Sequence, residues 1–272
     1  MTEHTIKKQI EKIYKDALAE HPEFGKIKKE KIIAIIGKEL ERIASFEAAA
    51  ERDAKHGFAI DPKTANRIGA IWVFSGPGTY EKRFKNGDKF EKYPWAAWMD
   101  KIRLNHAASL AKKIAEIKSG VASPKDPAKT RKMIAEYGPY IVYNGFLEEN
   151  SAFERMLERG GAILPAEKVK IIHAKLETTV DQIRTFELPD DPSVNDKEVA
   201  LVSHAPHLDR ILHMLPQYDV LQRGSKPFLF PVPTPQAGKE QFAAMEIRGL
   251  LYRIFLTKDA TEKSYSYTVL RS

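Results

Sequence analysis

The chain has 272 residues, 43% of them hydrophobic and 30% charged, a balance suited to a packed globular core and not to a disordered or fibrous chain. It contains no cysteine, which excludes disulfides, thiolate metal centres and thiol nucleophiles. The net charge of +7 is concentrated between residues 79 and 133, where 14 Lys or Arg stand against 6 Asp or Glu, leaving the rest of the chain close to neutral.

In chain order, residues 5–20 and 28–55 read as helices, the second carrying Ile32, Ile35, Ile36, Leu40, Ile43 and Phe46 at three- and four-residue steps. His21-Pro22-Glu23-Phe24-Gly25 separates them, because proline and glycine interrupt a helix. Residues 1–60 are therefore expected to form a helical extension, a hairpin with one apolar face. That face must cover either the main domain or a second copy of the chain, as in a homodimer built through these helices. The aliphatic stretch Ile32-Ile33-Ala34-Ile35-Ile36 is far short of the ~20 residues that span a bilayer, and no signal-peptide core follows residues 1–10. These features predict a cytoplasmic protein with no membrane association.

From residue 61 to 256, short apolar runs alternate with helical periodicity, the pattern of βαβ units around a parallel sheet. Strands are expected at 70–75, 140–144, 169–173 and 199–204, with a weaker fifth at 228–232. Helices are expected at 100–118, 147–159, 178–186, 208–215 and 239–255. The strands are almost continuously apolar, as when helices cover both faces, so the fold class is α/β: a three-layer sandwich with a mainly parallel sheet of about five strands. Residues 76–94 and 119–130 read as loops, the first of them basic, aromatic and long enough to act as a lid. In the tail, residues 257–272, Tyr265, Tyr267 and Val269 alternate as an edge strand would.

Ligands of open parallel sheets bind beyond the carboxyl ends of the strands. The first strand empties into Ser75-Gly76-Pro77-Gly78-Thr79, where Gly76 and Gly78 would let backbone N–H groups approach an oxyanion. The third glycine of a dinucleotide fingerprint is missing, and the chain has no P-loop. The second strand ends at Asn144-Gly145, followed by Glu148, Glu149 and Asn150, acids that also suit a helix N-terminus. The third leads into Thr178-Thr179-Val180-Asp181-Gln182. The fourth gives Ser203-His204-Ala205-Pro206-His207-Leu208-Asp209-Arg210 and is the most informative: Pro206 starts a helix that sets His207 and Arg210 on one face. Histidine exchanges a proton near neutral pH, and arginine clamps a carboxylate or phosphate with two parallel bonds. A His204/His207 metal pair lacks a matched third ligand, and Ser203 lacks the GxSxG elbow of a serine hydrolase.

The ordered set Arg103-Leu104-x-x-Ala107-Ala108-x-Leu110, Tyr143-Asn144-Gly145, Leu157-x-x-Gly160 with Ile163-Leu164-Pro165, Thr178-Thr179-x-Asp181-Gln182 and Val202-Ser203-His204-x-x-His207-x-x-Arg210 resembles domain of unknown function 218, the YdcF-like proteins. The resemblance spans residues 69–215. It departs from the family's serine-glycine-glycine turn at Tyr143-Asn144-Gly145, and from its asparagine-threonine-x-glutamate-asparagine at Thr178–Gln182, which marks a divergent member. It implies a Rossmann-like fold with a polar pocket at the strand ends, and a nucleotide-like ligand such as S-adenosylmethionine.

Three functions compete. The first is a site for a small anionic, phosphorylated or nucleotide-like ligand. Gly76, Gly78, Arg103, Asn144, Gly145, Glu148, Thr178, Thr179, Gln182, Ser203, His204 and Arg210 would hold it, with His207 as general acid or base and Asp181 either orienting that histidine or holding a ligand hydroxyl. The second is nucleic-acid binding by the basic aromatic loop 76–98, where Lys82-Arg83-Phe84-Lys85 and Lys89–Tyr93 stand near Trp95 and Trp98. The third is a non-catalytic assembly protein using the helical hairpin.

Overall fold

The computed structural model describes residues 3–76, 99–122, 124–145, 147–158, 163–174, 176, 178–221 and 226–270. Helix α1 (Glu3–Glu20) and helix α2 (Lys29–His56) flank a single 3-10 turn at Pro22–Lys26, as the proline and glycine require. Helix α2 ends at Gly57, whose φ of 81° only glycine adopts without strain, and whose N–H closes on the Asp53 carbonyl.

Six strands follow: β1 (Ile68–Phe74), β2 (Tyr140–Asn144), β3 (Val169–Ile171), β4 (Glu198–His204), β5 (Phe228–Val232) and β6 (Thr268–Val269). They lie in the order β3-β2-β1-β4-β5-β6 and every adjacent pair is parallel. The expected α/β fold around a mainly parallel sheet of about five strands is borne out, with six strands among the described residues, all parallel. The sixth is the alternating tail segment, which contributes two residues along β5. Both edges, β3 and β6, are short, which limits pairing with other chains.

Helices α3 (Pro62–Arg67), α4 (Met99–Ser119), α5 (Pro127–Tyr137), α6 (Leu147–Glu158), α7 (Thr179–Arg184), α8 (Ala205–Met214) and α9 (Lys239–Tyr252) complete the described α-helices. The reading of 119–130 as a loop is corrected at its end, where residues 127–130 form the start of helix α5. Pro127 sits at its first turn, where its missing N–H costs nothing, and the Asp126 carboxylate caps Ala128 N–H. Helix α3 starts in the same way from Asp61 and Pro62.

Every residue of β1 is buried, and its side chains alternate between two cores. Ala70, Trp72 and Phe74 join Leu201 and Leu229 under α7, α8 and Phe46 of α2. Trp72 stacks between Phe74 and Phe186, with ring centroids 4.1 and 3.8 Å apart. Ile71 and Val73 join Val202 and Phe230 under α4, α5 and α6. A third core lies outside the first, where Ile32, Ile36, Leu40 and Ile43 of α2 meet Ala243, Ile247 and Leu251 of α9. The apolar stripe read from the sequence is therefore covered by helices of its own chain. No described helix is long and apolar enough to cross a membrane.

Candidate functional site

The strand order reverses between β1 and β4, where parallel α/β sheets open a crevice at their carboxyl ends. Val73 pairs with Val202, so Ser75-Gly76 and Ser203-His204 emerge side by side. Gly76 turns the chain with a φ of 92°.

On the α4 side lies Arg103, fully buried. Its Nε donates to His204 Nδ1 at 2.8 Å, and its Nη1 donates to the Phe74 carbonyl at 3.0 Å and to Asp100 Oδ1 at 2.9 Å. Asp100 Oδ1 also accepts the Gly76 N–H at 2.9 Å, and its Oδ2 accepts from the Tyr143 hydroxyl at 3.0 Å. Burial pushes the Asp100 carboxyl up, opposed by the Arg103 charge. Burial also raises the Tyr143 phenol well above its usual value, so it stays protonated and able to donate. His204 is pushed well below the usual imidazole range by burial and by Arg103, and is neutral. Arg103 Nη2 and His204 Nε2 have no hydrogen-bond partner among the described residues.

On the α8 side a relay runs through three elements. Ser203 Oγ lies 3.0 Å from His207 Nδ1, and His207 Nε2 lies 3.2 Å from Thr179 Oγ1. Arg210 Nη2 donates to the same Thr179 oxygen at 3.1 Å, while its Nε pairs with the buried Glu246 carboxylate at 2.7 Å. The guanidinium fits because Gly249 of α9 has no side chain; a Cβ there would stand 2.9 Å from Arg210 Nη1. Burial, then the charges of Arg103 and Arg210, push His207 well below its ordinary value. A neutral imidazole held between two hydroxyls can accept a proton from one and return it.

Between the two sides, Gln182 Nε2 donates to Ser75 Oγ at 2.6 Å and to its carbonyl at 3.2 Å, and Gln182 Oε1 has no partner among the described residues. Asn144 braces the layer beneath: its Oδ1 accepts from Trp72 Nε1 at 3.1 Å and its Nδ2 donates to the Gln182 carbonyl at 2.6 Å.

The structure thus brings Gly76, Arg103, Asn144, Thr179, Gln182, Ser203, His204, His207 and Arg210 to one end of the sheet. It also engages several of them internally. The Gly76 N–H is taken by Asp100 and the Gly145 N–H by Asn150 Oδ1 at 2.9 Å, so neither backbone donor expected at an anion is free for one. Thr178 caps α7, and the Asp181 carboxylate returns to the Thr178 N–H at 2.8 Å in a capping box. On α7 the group that meets His207 is Thr179. Gly78, the loop 77–98 with Trp95 and Trp98, and the side chain of Glu148 lie outside the described residues.

Asp100 and Glu246 were not singled out in the sequence, and Tyr143 was named there only within the Tyr143-Asn144-Gly145 turn. Asp100 stands three residues before Arg103, the spacing of a helical ion pair, but also where an acid suits a helix start. Glu246 carried a clearer signal, lying four residues from Phe242 and from Leu250 on the apolar face of α9.

A second buried polar cluster joins α2 to α8. Arg42 contacts Glu39, Asp209 and His213, and His213 Nδ1 lies 2.6 Å from the Thr261 carbonyl. Glu39, Asp209 and His213 are close enough to share an ion, and the Arg42 guanidinium lies among them. A groove of about 520 Å³ lies elsewhere, between α2 and the start of α9, bridged by Lys239 to Glu47 and Glu51.

Strand order and strand-end chemistry define the class: a doubly wound α/β protein with a buried polar cluster at its switch point. Comparison with protein-family models, with curated proteins and with solved structures finds no match to this chain.

Proposed function

We propose that the chain binds a small anionic, phosphorylated or nucleotide-like molecule beyond the carboxyl ends of β1 and β4, with His207 as the group that moves a proton. S-adenosylmethionine is one candidate, from the resemblance to the YdcF-like proteins. The observation that carries the reading is the set of buried polar atoms left without partners at the switch point: Arg103 Nη2, His204 Nε2 and Gln182 Oε1. Buried donors and acceptors in folded proteins are nearly always satisfied, and an unpaired cluster at a ligand-binding position favours a missing ligand over chance. Ser203, His207 and Thr179 supply the proton path beside it.

The test is a thermal-shift and calorimetric panel of nucleotides, S-adenosylmethionine and sugar phosphates. A ligand at 100 times its Kd adds about 2.7 kcal/mol to stability, a shift of several degrees for a chain of this size. The variant Gln182→Met removes the unpaired Gln182 Oε1, and should melt cooperatively with a reduced ligand shift. A panel that shifts nothing in a cooperatively melting protein overturns the reading.

A further inference from the structure

The groove of about 520 Å³ between α2 and the start of α9 takes no part in the site at the strand ends. Much of its lining is apolar, from Leu40, Ile43, Ala44, Ala48 and Ala243. Its charged groups are mainly acidic: Glu47, Glu51 and Glu240 line it beside a lone ammonium, that of Lys239. Glu47 is the buried member, 3% exposed. Its Oε2 accepts the Thr234 N–H at 3.2 Å and lies 3.4 Å from Lys239 Nζ, but that ammonium stands closer to Glu51, at 2.7 Å. Glu47 Oε1 is left buried with no hydrogen-bond partner among the described residues. Gln9, on the same groove, has its Oε1 unpartnered as well.

We propose that this groove binds an aliphatic primary amine, whose ammonium donates to Glu47 and whose hydrocarbon chain lies along Leu40, Ile43 and Ala243. Both unpartnered atoms are acceptors, so the occupant brings donors. A carboxylate only accepts, so no rotation of the Glu47 side chain removes the need for one. The excess of carboxylates selects a cation over a neutral alcohol, because a hydrogen bond between two charged groups is the stronger one. A trimethylammonium head carries the charge but has no N–H to give. The apolar lining selects a cation with a chain over a bare ammonium or metal ion, which would leave that surface in water. The volume is that of a small-molecule site. Lys239 is the competitor within the chain, an ammonium already drawn toward the same carboxylates.

The experiment titrates the full chain at neutral pH with n-hexylammonium, 1-hexanol, n-hexyltrimethylammonium and hexanoate, followed by ¹H–¹⁵N NMR of the Ala44, Ala48 and Ala243 amides. A seven-atom ligand of ordinary efficiency reaches a Kd on the order of 1 mM. The expected result is a saturable shift of these amides with n-hexylammonium, and binding at least tenfold weaker for the other three probes. Glu47→Gln keeps the size of the side chain and an oxygen for the Thr234 N–H, but replaces the unpartnered acceptor with a donor. It should weaken n-hexylammonium binding at least tenfold. Lys239→Met removes the competing ammonium and should tighten binding about threefold or more. The site is overturned by hexanol or the trimethylammonium probe binding as tightly as n-hexylammonium, or by no saturable shift up to about 20 mM. Equal affinity in Glu47→Gln, or unchanged or weaker binding in Lys239→Met, also overturns it. The first two outcomes are read on the unmutated chain and do not depend on a variant folding. None of them bears on the nucleotide panel, because the groove and the strand-end site share no residue.

Discussion

His106 packs its ring edge-on against Phe58, with centroids 4.9 Å apart, and its Nε2 has no partner among the described residues. Burial pushes its imidazole down to about 4. His213 is likewise held at about 4 by burial and by Arg42. In the unfolded chain both titrate near 6.5, so below that pH the unfolded state takes up protons that the folded state refuses. The stability they contribute is full above pH 6.5 and is lost as pH falls to about 4, by roughly 3 kcal/mol per histidine at most. His106→Phe keeps the apolar packing and removes the proton. Its denaturant midpoint should fall less steeply than that of the parent chain between pH 6.5 and 4, and identical slopes would refute the assignment.

At the scale of elements, Arg42 fastens α2 to α8. Its contacts are Glu39 on its own helix, and Asp209 and His213 on the facing one, all with side chains at most 2% exposed. Deleting only the cation would leave two buried carboxylates without it. Arg42→Met should therefore cost about 3–5 kcal/mol in urea unfolding, and Arg42→Met/Glu39→Leu/Asp209→Leu should recover most of that loss. A single-variant cost below about 1 kcal/mol would mean that apolar packing alone holds the two helices. The helices themselves were legible one at a time, because three- and four-residue apolar spacing is a local property. Helix α5 was hidden because Pro124 and Pro127 read as loop residues, although Asp126-Pro127 is equally a helix start.

For the whole molecule, the hairpin is part of the core. Helix α2 buries Ile32, Ile36, Leu40, Ile43 and Phe46, each contributing roughly 2 kcal/mol by area, and Phe46 reaches the core that covers the sheet. A chain lacking residues 1–56 would expose α9 and part of that core. It should lose cooperative melting, followed by circular dichroism, and bind a hydrophobic dye. A truncated chain with an unchanged, cooperative transition would show the hairpin to be detachable.

The sequence by itself determined that this is an α/β protein, where β2 and β5 begin and end, and that polar residues gather after the strands, because burial on both faces and helix capping are written in neighbouring residues. Only the tertiary structure decided the strand order, and with it which strand ends meet. Ser75 and Ser203 lie more than a hundred residues apart, and nothing local to either specifies that β1 and β4 pair. The same holds for partners. Arg210 read as a clamp for an anion until α9 brought Glu246 to it, and Gly76 and Gly145 read as open donors until Asp100 and Asn150 filled them. Which N–H groups remain unpaired depends on every neighbour in space, so Arg103 Nη2 and His204 Nε2 emerge only from the folded chain.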